Sequence, residues 1–286
     1  MSDIGNLIKE LRNKTGAGFL DCKKALSENQ NNIEESIEYL RKKGLAKASK
    51  KSSREANEGA IGVYQNKELF VVLKINTETD FAAKSDTFLN FLDNLGSICL
   101  KINDISLSLE KFLSSKYEDG SVSDYLTSMI AQIGENLIIK ELIIINNKEN
   151  KLNFYVHNNY RKNIGKLISL IKYETNKNDD AVLKLSKNIC MHVAAMKPDS
   201  LDIDDLDKNI IEKERDLQKE LIQSSGKPEN IINKILDGKM KKFFSEVTLL
   251  NQSYILEPDL SVKEHINKNY SDYSFIIKSF KLINLM

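Results

Sequence analysis

The stretch Val71–Phe88, VVLKINTETDFAAKSDTF, holds the reading on which the fold turns. Its first half belongs to a β-rich run, ELFVVLKIN (68–76), that reads as a strand. With AIGVY (60–64) on the far side of the turn Gln65-Asn66-Lys67, it predicts a β-hairpin. Its second half leads into helical spacing at Phe88, Leu89, Leu92 and Leu95. Between the two lies a polar connector, where Phe81 stands outside any periodic apolar pattern.

The same order recurs farther along. VVLKINTETD (71–80) is echoed by LISLIKYETN (167–176), and each leads into a helical pattern. Glu78-Thr79-Asp80 lines up with Glu174-Thr175-Asn176, and Ile98-Cys99-Leu100 with Ile189-Cys190-Met191. The echo predicts one duplicated core module. From acid to cysteine motif the spacing is 20 residues in the first copy (78 to 98) and 15 in the second (174 to 189). The first copy therefore carries five extra residues (20 − 15), and Phe81 lies in that longer connection. An insertion on a scaffold is where function concentrates.

Working outward, residues 1–46 read as three short helices. Ile4, Leu7, Ile8 and Leu11 form one face, and Gly16 is placed to cap it. FLDCKKAL (19–26) makes the second helix. Asn32 with Glu35 forms a capping box, opening a third helix with Ile33, Ile37 and Leu40 that Gly44 ends. Residues 47–58, within the basic stretch AKASKKSSREANEG (46–59), read as a solvated linker or frayed helix. A nucleic-acid patch is the competing reading, but no aromatics interleave.

The first core copy spans 59–150 and includes the β-rich NLIIKELIIIN (136–146). The second spans 151–204, with a hairpin from LNFYVH and GKLISLIKY and a helix over AVLKLSKNICMHVAAM that Pro198 ends. Residues 205–245 read as a charge-rich antiparallel helical hairpin. Leu206, Ile210, Leu217 and Leu221 form one stripe, and Ile231, Ile235, Met240 and Phe243 the other. Gly226 ends the first helix and Pro228 opens the second. Residues 246–286 return to the core. The fold class is α+β.

With 42 Lys+Arg against 41 Asp+Glu, a net charge of +1 exerts no global pull on nucleic acid or anionic membrane. Cys22, Cys99 and Cys190 are too few and too separate for a disulfide framework, which fits a reducing compartment. No CxxC suggests a zinc site, and His157, His192 and His265 are scattered. No signal peptide opens the chain, and the apolar run LIIKELIII (137–145) is too short and charged to span a membrane. A cytoplasmic location is expected. Phosphate-loop, dinucleotide, HExxH and GxSxG motifs are missing, so the expectation is a binding protein without catalytic residues, metal or cofactor. Each singled-out residue also has a plain reading: Phe81 folded back as a core plug, Asp80 as an N-cap, His192 as a satisfied core histidine.

Several segments carry a resemblance. TGAGFLDCKKAL (15–26) resembles the N-terminal signature of the elongation factor Ts family, and ETDFAAKSDTF (78–88) its second signature, usually written TDFVAKN. GEN (134–136), MHVAAMKP (191–198), SSGKPENI (224–231) and GKMKKFFSEVTLLNQSYI (238–255) follow in the family order. The resemblance implies a guanine-nucleotide exchange factor, not an enzyme. It would bind elongation factor Tu·GDP, expel GDP by disturbing the magnesium and phosphate site, and stay on nucleotide-free Tu until GTP enters. It also implies a UBA-like N-terminal unit. Asp80, Phe81, Ala82 and Ala83 match the segment that dislocates magnesium, with Thr79 beside it; the phenylalanine is the wedge. His192 matches a histidine on the same contact surface. Ala82 stands for the usual valine, which would trim the wedge contact; Thr77 stands for a common cysteine and Ser85 for asparagine. Neither direct nucleic-acid nor membrane binding is implied, and homodimerisation stays open. The alternative is a UBA-type adaptor without exchange activity.

Overall fold

The computed structural model describes residues 3–148, 151–223 and 229–285. The chain divides into two compact units. The first comprises Met1–Lys148, Asn158–Lys166 and Asn284–Met286; the second comprises Glu149–His157 and Leu167–Ile283. The mixture of helices and antiparallel sheet is α+β.

The first unit opens with α1 (Asp3–Thr15), α2 (Phe19–Glu28) and α3 (Ile33–Lys51). Their apolar faces meet at Ile8, Leu11, Cys22, Ala25, Leu26 and Ile33. Gly16 leaves α1 at φ +65°, with its amide bonded to the Arg12 carbonyl at 2.8 Å. Asn32 caps α3 by accepting the Glu35 amide.

Gly44 does not end α3, and the expected linker is helical as far as Lys51. Gly44 is buried, with room to spare: a Cβ there would lie 3.6 Å from the Ala131 Cβ, an ordinary contact. The basic run that follows is engaged within the unit. Lys43 and Lys47 grip Asp21 at 2.8 and 2.9 Å, and their hydrogen bonds hold its carboxyl below the usual range. Lys51 donates to the Gly134 carbonyl, and Arg54 lies 3.4 Å from Glu78.

β1 (Glu58–Gln65) and β2 (Leu69–Thr77) form the expected antiparallel hairpin. α4 (Asp80–Lys84) and α5 (Asp86–Ile102) follow. The sequence reading placed no elements between α5 and β5, where the structure has α6 (Leu109–Ser114), the ribbon β3 (Lys116–Tyr117) with β4 (Gly120–Ser121), and α7 (Val122–Ile133). α7 starts from a reciprocal capping box between Ser121 and Asp124. β5 (Leu137–Asn146) then pairs antiparallel with β2. β2 is buried almost throughout, which accounts for its nearly continuous apolar run. Phe88, Phe91, Leu92 and Leu95 of α5 pack with Val71, Leu73 and Ile75 of β2, and Met129 and Ile130 of α7 complete this core.

β6 (Lys151–Arg161) and β7 (Ile164–Glu174) come next. The tip of this hairpin belongs to the first unit, where Gly165 and Ile164 lie opposite Ile61 and Gly62 of β1. In the second unit β7 leads to α8 (Asp180–Met196), α9 (Lys208–Gln223) and α10 (Glu229–Val247). β8 (Ser253–Tyr254), β9 (Glu257–Ser261), α11 (Val262–Asn269) and β10 (Ile276–Asn284) finish the chain. The core of this unit joins Ile171 of β7, Ile189 and Val193 of α8, Tyr254 of β8 and Ile277 of β10.

α9 and α10 pack through Ile222, Leu236 and Met240. The buried face of α9 is therefore not the expected stripe, since Ile210, Leu217 and Leu221 are all about half exposed or more. A second apolar register through Ile211 and Ile222 runs beside it, and packing against α10 selects that one. The expected break, with Gly226 and Pro228, lies outside the described residues. Among the described residues no helix is long and apolar enough to cross a membrane.

Two glycines give opposite expectations. A Cβ at Gly96 would lie 2.3 Å from the Tyr64 ring, so Gly96→Ala should destabilise the protein by about 1–3 kcal/mol through overpacking. Gly44→Ala meets only an ordinary contact inside a helix and should stabilise by about 0.5–1 kcal/mol. Urea denaturation midpoints check both.

Candidate functional site

The polar connector that holds Phe81 contains α4, a single helical turn of five residues. It lies in the longer of the two strand-to-helix connections, eight residues (78–85) against five (175–179). Thr79, not Asp80, is the N-cap; its hydroxyl oxygen accepts the Ala82 amide at 3.2 Å. Asp80 occupies the first turn and pairs with Lys84 at 2.8 Å, and that hydrogen bond holds its carboxyl below the usual range. Ser85 ends the turn and begins the next helix. Its hydroxyl donates to the Ala82 carbonyl at 2.8 Å and accepts the Phe88 amide at 3.2 Å.

α4 has a polar-free inner face and an aromatic outer one. Ala82 and Ala83 are buried against the hairpin of β1 and β2. Phe81 points the other way and is 84% exposed. It is not a core plug. Ala83, fully buried, has no surface to offer a partner. Ala82 is buried as well, so its side chain lies beneath the turn and not beside the exposed ring.

What holds this turn is Glu135. Its carboxylate accepts the Thr77 hydroxyl at 2.7 Å, the Thr79 hydroxyl at 2.6 Å and the Thr79 amide at 2.9 Å. Glu78 returns the arrangement by accepting the Asn136 amide at 2.7 Å. Asn136 also donates to the Arg54 carbonyl at 2.8 Å. The segment 134–136 and the segment 77–79 are thus laced together, though 58 residues apart in sequence for the pairs 77–135 and 78–136. Burial alone would push the Glu135 carboxyl up, but the hydrogen bonds from Thr79, Thr77 and the nearby backbone outweigh it and hold it below its ordinary value.

His192 sits in the second unit and is fully buried. Its Nδ1 accepts the Ile255 amide at 3.2 Å, which leaves Nε2–H to donate to Gln252 Oε1 at 3.0 Å. Burial pushes its imidazole below the ordinary value of 6.5, against the opposing hydrogen bond, so the ring is neutral at pH 7. The expected contact histidine has no exposed atom to offer and instead sets the 252–255 turn. Beyond it Ile255 and Leu256 are exposed. Sequence reasoning missed Glu135 as the anchor; its only signal was membership of the GEN segment.

Cys22, Cys99 and Cys190 are all buried, and burial pushes the Cys99 and Cys190 thiols up to about 12. Among the described residues no group of three or more His, Cys, Asp or Glu is placed to hold a metal ion. The feature that stands out chemically is an exposed aromatic on a pinned turn, set in an α+β frame.

Similarity to known proteins places the chain in a class of translation elongation factors. A family model described as Elongation factor TS matches residues 78–285. Over 278 residues the chain is 40% identical to elongation factor Ts of Rickettsia felis, covering 96% of this chain and 89% of that protein. It is 41% identical to the Rickettsia typhi protein with the same coverage, and 40% identical over 279 residues to that of Rickettsia prowazekii, covering 97% and 89%. The chain belongs to the elongation factor Ts family.

The Glu135 anchor carries a pH signature. A carboxyl held below 4.5 in the folded state stabilises the fold above that pH, and the contribution fades as pH falls through the depressed folded value. Glu135→Gln should cost about 1–3 kcal/mol at pH 7. The gap between wild type and variant should then narrow below pH 4.5, as read by denaturation at stepped pH.

Proposed function

We propose that this chain binds elongation factor Tu·GDP and promotes GDP release, with Phe81 as the wedge. The observation that carries this is the 84% exposure of Phe81 on a turn whose other side chains are buried, capped or paired. A large apolar side chain held in water is suited to a pocket on another protein, where a central aromatic contributes about 2 kcal/mol or more. Asp80, the residue before it, is partly exposed and paired with Lys84. Thr79, Ala82 and Ala83 act from behind by fixing the backbone.

Exchange by binding needs no bond chemistry. Tu holds GDP through phosphate and magnesium contacts, and a wedge that moves the neighbouring helices weakens them. A factor that prefers nucleotide-free Tu lowers nucleotide affinity by the same ratio by which nucleotide lowers the factor's affinity. A coupling of about 4 kcal/mol corresponds to roughly a thousandfold. The factor stays until GTP enters and reverses the coupling. Exposed Phe19 and Leu20 on α2 suit a second contact, made by the N-terminal helices on the GTPase domain. Ile255 and Leu256, set by His192, suit a third.

The test is release of a fluorescent GDP analogue from the cognate Tu. Substoichiometric protein should accelerate release strongly. Phe81→Ala should lower that acceleration about tenfold or more while leaving the melting temperature unchanged, since the ring contributes no core packing. Binding without acceleration by the wild-type chain would leave an adaptor and end the exchange reading.

A further inference from the structure

We infer that Arg161 is a positioning residue for Phe81, a role that rests on the wedge reading above. α4 has two ends. Glu135 holds the first. The second is Ser85, the joint at which α5 begins, and Asp86 is the first residue of α5. Arg161, at the tip of the β6–β7 hairpin, reaches that joint from the far side of the sequence. Its Nη2 donates to Asp86 Oδ1 at 2.9 Å. Its Nη1 donates to Asn90 Oδ1 at 2.8 Å and to Asp93 Oδ2 at 2.9 Å. Residues 86, 90 and 93 share one face of α5, so one guanidinium spans its first two turns. The planar fork suits this task; an ammonium has no such geometry.

The arm has a fixed base. The Ile164–Gly165 step of the same hairpin lies opposite β1, the Asn163 carbonyl accepts the Val63 amide at 2.9 Å, and Lys166 pairs with Glu58 at 2.8 Å. The helix side is fixed too. The other oxygen of Asp93 accepts the Tyr64 hydroxyl at 3.2 Å, and the Tyr64 ring lies against Gly62 and Gly96. Arg161 therefore ties two rigid parts and sets where α5 starts.

The Asp86 side chain is 92% exposed and that of Asp93 44%, so the network contributes little to global stability. Its consequence is local. Phe81 makes no packing of its own that corrects its direction, so a shift at Ser85 passes straight to the ring.

The experiment compares full-length wild type, Phe81→Ala, Arg161→Ala and the double variant in the Tu·GDP release assay, with melting temperatures alongside. Arg161→Ala should slow release on the order of tenfold, within the range of coupling between interacting residues. In the Phe81→Ala background the same change should cost nothing further, a non-additivity that a general structural role does not produce. Arg161→Lys should recover only part of the rate. Asp86→Asn, at an exposed side chain that threatens no packing, should reproduce the loss if Arg161→Ala fails to fold. Wild-type rates in Arg161→Ala or, for an unfolded Arg161→Ala, in Asp86→Asn overturn the inference, as do losses that multiply in the double variant while Phe81→Ala alone is impaired. An inert Phe81→Ala overturns the wedge reading itself, leaving Arg161 nothing to position.

Discussion

A phenylalanine kept in water has to be held from behind, and the carboxylate of Glu135 does the holding. It accepts two hydroxyls and an amide from Thr77 and Thr79, at the point where β2 ends and α4 begins. Hydrogen bonds to an ionised acceptor are short, strong and directional. Glu78 mirrors the arrangement by accepting the Asn136 amide. Each segment therefore supplies the acid that the other needs. Asn136 and Asn76 extend the lacing to the Arg54 and Ala56 carbonyls, which orders the path into β1.

A five-residue helix has no stability of its own, because nucleation costs more than one turn returns. α4 exists because its cap, its two buried alanines and its joint at Ser85 are each fixed elsewhere. Small residues on the inner face let the turn lie close on the sheet. The outer face is then free of any structural duty. Holding and contacting are assigned to different side chains, so the ring can be displayed without weakening the core.

The second unit uses the same division of labour. His192 and Gln252 are buried, bonded to each other, and spend their remaining groups on backbone: the Ile255 amide and the Glu246 carbonyl. The exposed side chains are the apolar ones beyond, Ile255 and Leu256. A neutral imidazole is what such a site requires, since a buried imidazolium would lack a counter-charge. Here β7 runs on to α8 without a counterpart of α4, and Asp179 supplies the cap.

The sequence by itself determined the α+β class, the β1–β2 hairpin, the helical spacing of α5 and α8, and the oddity of Phe81. These follow from local periodicity, and local periodicity is what a sequence displays openly. It also showed that the first strand-to-helix connection is the longer one, and α4 forms within it. Tertiary structure decided the rest. Gly44 looked like a stop, yet α3 runs on to Lys51, because packing against α7 supports the helix beyond the glycine. α9 carried two apolar registers, and only α10 could choose between them. His192 read as a satisfied core histidine from its apolar helix and as a surface contact by resemblance, and the structure buries it beneath the 252–255 turn. Glu135 and Arg161 were two charges among many. What distinguishes them is which distant donors and acceptors the fold brings within 3 Å, and no spacing along the chain encodes that.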